Sequence, residues 1–176
     1  DALNGTPSIV FGLFGMSALV MALGWGYSVI AGSVTLAFMI LPVIIKTTEE
    51  AVSAVPKSLI EASMAMGSSK WQAIYKVVLP AALGGVITGI ILSLGRAAGE
   101  TAPIMFTAAV AFKSQVSFSL FEPIMALPYH LYFLASEVTG STANQYGTAV
   151  VLLGIVLSMF LVASLVRHHY SKNAKW

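Results

Sequence analysis

Four apolar runs long enough to cross a bilayer, roughly Pro7 to Gly26, Ser28 to Ile45, Ala81 to Ala111 and Gly147 to Val166, constrain this chain more than anything else in it. Runs of about 18 or more apolar residues read as spanning helices, because a backbone inside lipid has to satisfy its own N–H and C=O groups. The predicted fold class is therefore all-α, a polytopic transmembrane helical bundle with the lipid bilayer as its surroundings. The third run is long enough to tilt or to extend past the hydrocarbon layer. Composition agrees: hydrophobic residues make up 57% of the chain and charged residues 9%, with a mean hydropathy of +0.87, whereas soluble domains carry about a quarter charged residues.

The basic residues predict an orientation. Lys46, Lys57, Lys70 and Lys76 lie in or beside the 46–80 loop, and Arg167, Lys172 and Lys175 follow the last run, whereas 112–146 holds only Lys113. By the positive-inside rule the first two regions face the cytoplasm and 112–146 is an external loop, so both ends of the chain are cytoplasmic. Trp25 and Tyr27 then sit at a tight external hairpin, as an aromatic belt would. The net charge of +2 is spread over loops and carries no nucleic-acid signature. With no Cys there is no disulfide or thiolate chemistry. Three His, two of them adjacent at 168 and 169, offer no metal-ligand spacing. Asp1 and Asn4 replace the basic n-region of a cleavable signal peptide. The absence of an initial Met, just before an apolar run, reads as a fragment whose upstream part is missing.

Between the second and third runs lies a polar, Lys-bearing stretch, EASMAMGSSKWQAIYKVVLP at 61–80. Pro56 suits the first turn of a helix, Lys57 to Met66 are mostly good helix formers, and Gly67 suits a left-handed C-terminal cap. Ser69 and Gln72 have capping-box spacing, which predicts a second short helix from Lys70 to Val78 that stops at Pro80. Two short helices around a glycine elbow make a compact knob. Leu59, Ile60, Met64, Met66, Trp71 and Ile74 supply more apolar surface than a solvated loop needs, for a partner's groove or for packing on the membrane domain itself.

The spacing of Glu61-Ala62, Gly67 and Leu79-Pro80 resembles the cytoplasmic "EAA" loop by which ABC importer permeases engage their ATPase. Ser63 stands where a second Ala is commoner, and Val77 replaces Ile. The resemblance makes Glu61, Ala62, Gly67, Trp71, Leu79 and Pro80 the candidate ATPase-coupling residues.

A second informative stretch, LGRAAGETA at 94–102, puts Arg96 and Glu100 near the middle of the third run. A charge at the centre of a spanning helix costs about 2.5–3.5 kcal/mol on insertion scales, so intramembrane ionisable residues are functional candidates. Spaced i, i+4, the two share a helix face and can pair, while Gly95, Ala98 and Gly99 allow close approach by a backbone or a substrate. Arg suits an oxyanion because its planar fork donates two hydrogen bonds and stays charged. Glu100 would hold that fork and moderate its grip, and Thr101 would add a hydroxyl donor. The plainer alternative is an ion pair that only offsets its own burial.

The run GRAAGETAPIMFTAA, with TPSIVFGLFG at 6–15 and LPVIIKTTEEAVSAVP at 41–56, is similar to permease subunits of phosphate-specific ABC importers, of the PstA type. The similarity extends from about Asn4 to the last run. It implies one ABC transporter transmembrane domain of the MetI-like type over 1–176, with the 46–80 coupling loop and the 112–146 external loop inside it; about four of the family's usual six spans are present. It further implies a multi-pass subunit of a bacterial plasma (inner) membrane importer of inorganic phosphate, with Arg96, Glu100 and Thr101 along the substrate pathway. Its partners would be a dimeric ATP-binding subunit, a second homologous permease and an external phosphate-binding protein.

No G-x-x-x-x-G-K-[ST] loop occurs, so no cofactor is expected in this chain and ATP would be bound by the partner. Two other readings remain open on the residues: a permease for another oxyanion (sulfate, molybdate or a phosphonate), and a proton-coupled secondary transporter using Arg96 and Glu100. An enzyme ranks last for want of a nucleophile–base or metal-ligand set. Pro42 and Pro103 should kink the second and third spans, as gate hinges or as plain bends. Gly12 with Gly15, and Gly85 with Gly89, suit close helix packing. An amphipathic or re-entrant helix is expected near Pro128 to Glu137, with His130 as an interfacial side chain.

Overall fold

The computed structural model describes residues 5–115 and 118–173. Asp1, Asn4 and Lys175, which entered the reading of the chain ends, lie outside them. The described residues are all-α, apart from a single bridge between Ala109 and Ile124. The helices in chain order are α1 (Ser8–Gly15, continued by a π-helical turn Met16–Ala22), α2 (Val29–Ser53), α3 (Lys57–Ala65), α4 (Lys70–Ala73), α5 (Leu79–Gly99), α6 (Ala102–Thr107), α7 (Leu127–Ser136) and α8 (Thr142–Asn173). A π-helical segment, Ile74–Val78, joins α4 to α5 without a break.

Among the described residues three helical stretches are long and apolar enough to cross a membrane: Val29–Ser53, Lys70–Gly99 and Thr142–Leu165. The first apolar run forms a shorter helix, Ser8–Ala22, because Gly24 and Gly26 adopt positive φ (67° and 64°) and end it. At about 1.5 Å per residue it falls short of the ~30 Å hydrocarbon layer. Trp25 packs against Leu19, Val20 and Ala31, whereas Tyr27 is exposed.

Other boundaries moved for identifiable reasons. The second helix runs eight residues beyond Ile45, to Ser53, through Pro42; no breaker intervenes before Pro56, and Lys46 and Glu49 pair across one turn at 3.6 Å. The helix from Lys70 does not stop at Pro80. The π-helical turn before it shifts the hydrogen-bond register where the proline ring would otherwise meet the carbonyl four residues back, so the helix passes through. The third run is not continuous to Ala111: α5 ends at Gly99, Glu100 and Thr101 are non-helical, and Pro103 stands in the first turn of the short α6. Pro103 therefore accompanies a break rather than a kink.

The chain divides into two compact units, one of residues 1–42 and 95–158, the other of residues 43–94 and 159–176. In the first, α1 and α6 pack through Gly12, whose missing side chain lies 2.9 Å from the carbonyl oxygen of Ala102 and 3.1 Å from Cα of Pro103. Gly15 lies likewise against Thr35 and Thr107, and Gly32 against Ala108. Backbone of the 107–122 stretch caps α2: the N–H groups of Ser28, Val29 and Ile30 donate to the carbonyls of Thr107, Glu122 and Leu120 at 3.0, 3.0 and 2.9 Å. In the second unit, Gly85 and Gly89 of α5 bring its backbone against Ala51 and Thr47 of α2. Val55, Val78 and Ala82 form the buried cluster there.

Candidate functional site

Two groups of residues concentrate the chemistry. The first is the knob between α2 and α5. Pro56 precedes α3 with φ −57°, and Met66 closes it. Gly67, at φ +89°, makes the turn, and two hydrogen bonds finish it: Gly67 N–H to Met64 O at 3.0 Å and Ser68 N–H to Ser63 O at 3.3 Å. That pair, one residue apart at each end, is the Schellman closure of a helix C-terminus. Ser69 opens α4 with the reciprocal cap its spacing predicts. Gln72 N–H donates to Ser69 Oγ at 3.3 Å, and Ser69 N–H donates to Gln72 Oε1 at 2.9 Å.

The apolar residues of the knob separate into two faces. Leu59 and Ile60 pack inward on the Val55–Val78–Ala82 cluster. Met64, Met66, Trp71 and Ile74 point outward, Met66 with 88% and Trp71 with 69% of its surface exposed. The Trp71 and Tyr75 rings stack with centroids 6.3 Å apart, so Tyr75 joins the outer face. It follows Trp71 by one helical turn, a spacing that would have found it. Glu61, Ala62 and Gly67 are exposed beside that face. Leu79 and Pro80 lie instead inside the continuous helix, Leu79 partly exposed and Pro80 half-buried.

The second group is the Arg96–Glu100 pair. Arg96 sits in the last turn of α5, not at the middle of a continuous helix, and Glu100 lies just past its end. Arg96 Nε donates to Glu100 Oε1 at 3.2 Å. The carboxylate side is largely enclosed, with 16% of its side chain exposed against 42% for Arg96. Because Glu100 engages Nε, the Nη1–Nη2 edge of the guanidinium points away from this contact, and that edge is the one Glu100 leaves to grip paired oxygens. Thr101 is the N-cap residue of α6, half-buried, and its side chain makes no capping bond. Among the described residues nothing stands within 4 Å of where a Cβ on Gly99 would be. The break is held by α6, whose Ala102 and Pro103 backbone abuts Gly12.

Elsewhere, α7 (Leu127–Ser136) covers all but the last residue of the segment expected to be helical at 128–137. His130 stacks edge-on with Phe112 at 6.2 Å, and its Nδ1 is buried without a hydrogen-bond partner among the described residues. Among the described residues no three His, Cys, Asp or Glu side chains come together as metal ligands would.

The profile of the family described as "Binding-protein-dependent transport system inner membrane component" matches residues 1–174. Among curated relatives, the chain is 35% identical over 176 residues to "Probable ABC transporter permease protein YqgI" of Bacillus subtilis, covering 93% of this chain and 60% of that one. It is 38% identical to "Phosphate transport system permease protein PstA" of Xylella fastidiosa, covering 93% and 56%, and 34% identical to "Phosphate transport system permease protein PstA 2" of Mycobacterium tuberculosis, covering 100% and 58%. The chain thus spans between 56% and 60% of the length of these relatives. No solved structure matches it.

Proposed function

The chain belongs to the binding-protein-dependent transport system inner membrane component family, and from that premise we propose that it is a permease subunit of an ATP-driven importer of inorganic phosphate. Its outward knob seats in a cleft of a separate, dimeric ATPase subunit. The observation that carries this reading is the exposed row Met64, Met66, Trp71 and Tyr75 beside a closed glycine elbow, since a protein that used the knob only for its own packing would bury that row as it buries Leu59 and Ile60. A second homologous permease completes the pathway, and an external phosphate-binding protein delivers the anion to the 112–146 side.

At the pathway, Arg96 presents its Nη1–Nη2 edge to the phosphate while Glu100 holds Nε. The pairing orients the guanidinium before the anion arrives and offsets part of its charge, so that the anion is bound and then released. Thr101, beside the pair, contributes a hydroxyl. ATP binding closes the two ATPase subunits, the knobs follow, and the spans alternate between inward and outward openings. Both ends and 46–80 face the cytoplasm.

Phosphate, rather than sulfate, molybdate or a phosphonate, is supported by the names of the relatives. The test is ATP-dependent uptake of labelled phosphate by the reconstituted complex with each oxyanion as competitor. Competition by phosphate alone supports the reading, and stronger competition by sulfate or molybdate would reassign the substrate. Uptake that followed a proton gradient without ATP would move the protein to the secondary transporters.

A further inference from the structure

The second compact unit contains a cavity of about 570 Å³ lined by Gly84, Gly85 and Thr88 of α5 and by Ser164, Arg167 and His168 of α8. Its volume is in the range of ~300–1,000 Å³ typical of small-molecule sites. Three observations bear on its occupant. In the sequence the last apolar run ends at Val166, so Arg167 and His168 are the residues that directly follow it, as basic residues flanking a span do. Among the described residues the ion pairs are Lys46–Glu49, Arg96–Glu100 and Lys113–Glu122, and Arg167 belongs to none of them. The two adjacent glycines of α5 also differ: a Cβ on Gly85 would meet Ala51 of α2 at 2.6 Å, whereas among the described residues nothing stands within 4 Å of one on Gly84. Gly85 is accounted for by helix packing; Gly84 leaves open space in the wall.

From this geometry we propose that the cavity seats the headgroup of an anionic phospholipid. The phosphodiester lies against the Arg167 fork and the His168 imidazole, and the glycerol backbone passes over Gly84 toward the apolar stretch of α5. A basic cavity between transmembrane helices at the membrane boundary is the setting in which such headgroups are held. The Thr88 hydroxyl already donates to Gly84 O at 2.7 Å, so the Arg167 guanidinium rather than the hydroxyl supplies the grip.

The test is native mass spectrometry of the protein purified in mild detergent, titrated with phosphatidylglycerol or phosphatidylcholine. The wild type should retain phosphatidylglycerol selectively. Arg167→Gln should reduce that retention about fivefold, Gly84→Phe should reduce it at least as much by filling the space, and Arg167→Lys should keep most of it. Lys46→Gln removes a cation outside the cavity and should change nothing. Equal retention in wild type, Arg167→Gln and Gly84→Phe would overturn the proposal. So would displacement of the lipid by millimolar inorganic phosphate, which would make the cavity a site for the free anion. Should Gly84→Phe not assemble, the contrast between Arg167→Gln and Arg167→Lys decides: loss in the first alone supports the lipid, and no difference from wild type in either refutes it.

Discussion

Glu100 Oε1 accepts a hydrogen bond from Arg96 Nε at 3.2 Å across the point where α5 stops, so the two partners of the pair stand on different kinds of backbone. Arg96 is carried by the helix. Glu100 is carried by the break, whose position depends on how α6 packs. A shift of α6 would thus change the pairing without moving Arg96.

Gly67→Val should uncouple uptake from ATP hydrolysis while leaving the chain in the membrane. At φ +89° a β-branched residue is strained by about 1–3 kcal/mol, and since nothing lies within 4 Å of the added Cβ, the effect is conformational rather than steric. Gly67→Asn, which tolerates the left-handed region better, should retain more coupling. Uptake and ATPase activity measured together check this; wild-type values for Gly67→Val would remove the elbow from the mechanism.

Gly12→Val should impair uptake from a distance in sequence. Its side chain would meet the Ala102 carbonyl at 2.9 Å and Pro103 Cα at 3.1 Å, forcing α1 and α6 apart at a cost of about 1–3 kcal/mol. Glu100 and Thr101, which lead into α6, would be displaced. Thermal unfolding in detergent and uptake should both fall, and a variant with unchanged uptake would separate the α1–α6 contact from the site.

The elements legible in the sequence were the local ones. Ser69 and Gln72, three residues apart, carry their reciprocal cap in their identities, and Gly67 announces its turn because side chains oppose positive φ. The break at Glu100–Thr101 was hidden by hydropathy, which stays high across it; Pro103 was the available signal, and it accompanies a new helix start instead of a bend. Pro80 misled in the opposite direction, since a π-helical turn lets the helix continue through it. The capping of Val29 and Ile30 by Glu122 and Leu120 joins backbone atoms about 90 residues apart, and backbone carbonyls leave no mark in residue type. Tyr75 was overlooked, although its stacking on Trp71 follows from a one-turn spacing.

Orientation is open to a direct check because the chain has no Cys of its own. Ser69→Cys on the knob should resist an impermeant thiol reagent in intact cells, and Phe118→Cys, at a position 98% exposed in the 112–146 segment, should react. Labelling at 69 and protection at 118 would invert the assigned topology.

In the proposed mechanism Arg96 carries the anion through charge and fork geometry, with Glu100 as its positioning partner. The measurement is ATP-dependent phosphate uptake by Arg96→Gln in the reconstituted complex, with Arg96→Lys and Glu100→Gln alongside. Arg96→Gln should lower uptake by about ten- to a hundredfold, the scale of a lost charge-assisted hydrogen bond, with membrane insertion intact because Arg96 stands in the last turn of α5 and its amide replacement can still donate to Glu100. Arg96→Lys should recover little, since an ammonium lacks the fork, and Glu100→Gln should slow release of bound phosphate. Phosphate uptake by Arg96→Gln at the wild-type rate would contradict the account and leave the pair as an ion pair that offsets only its own burial.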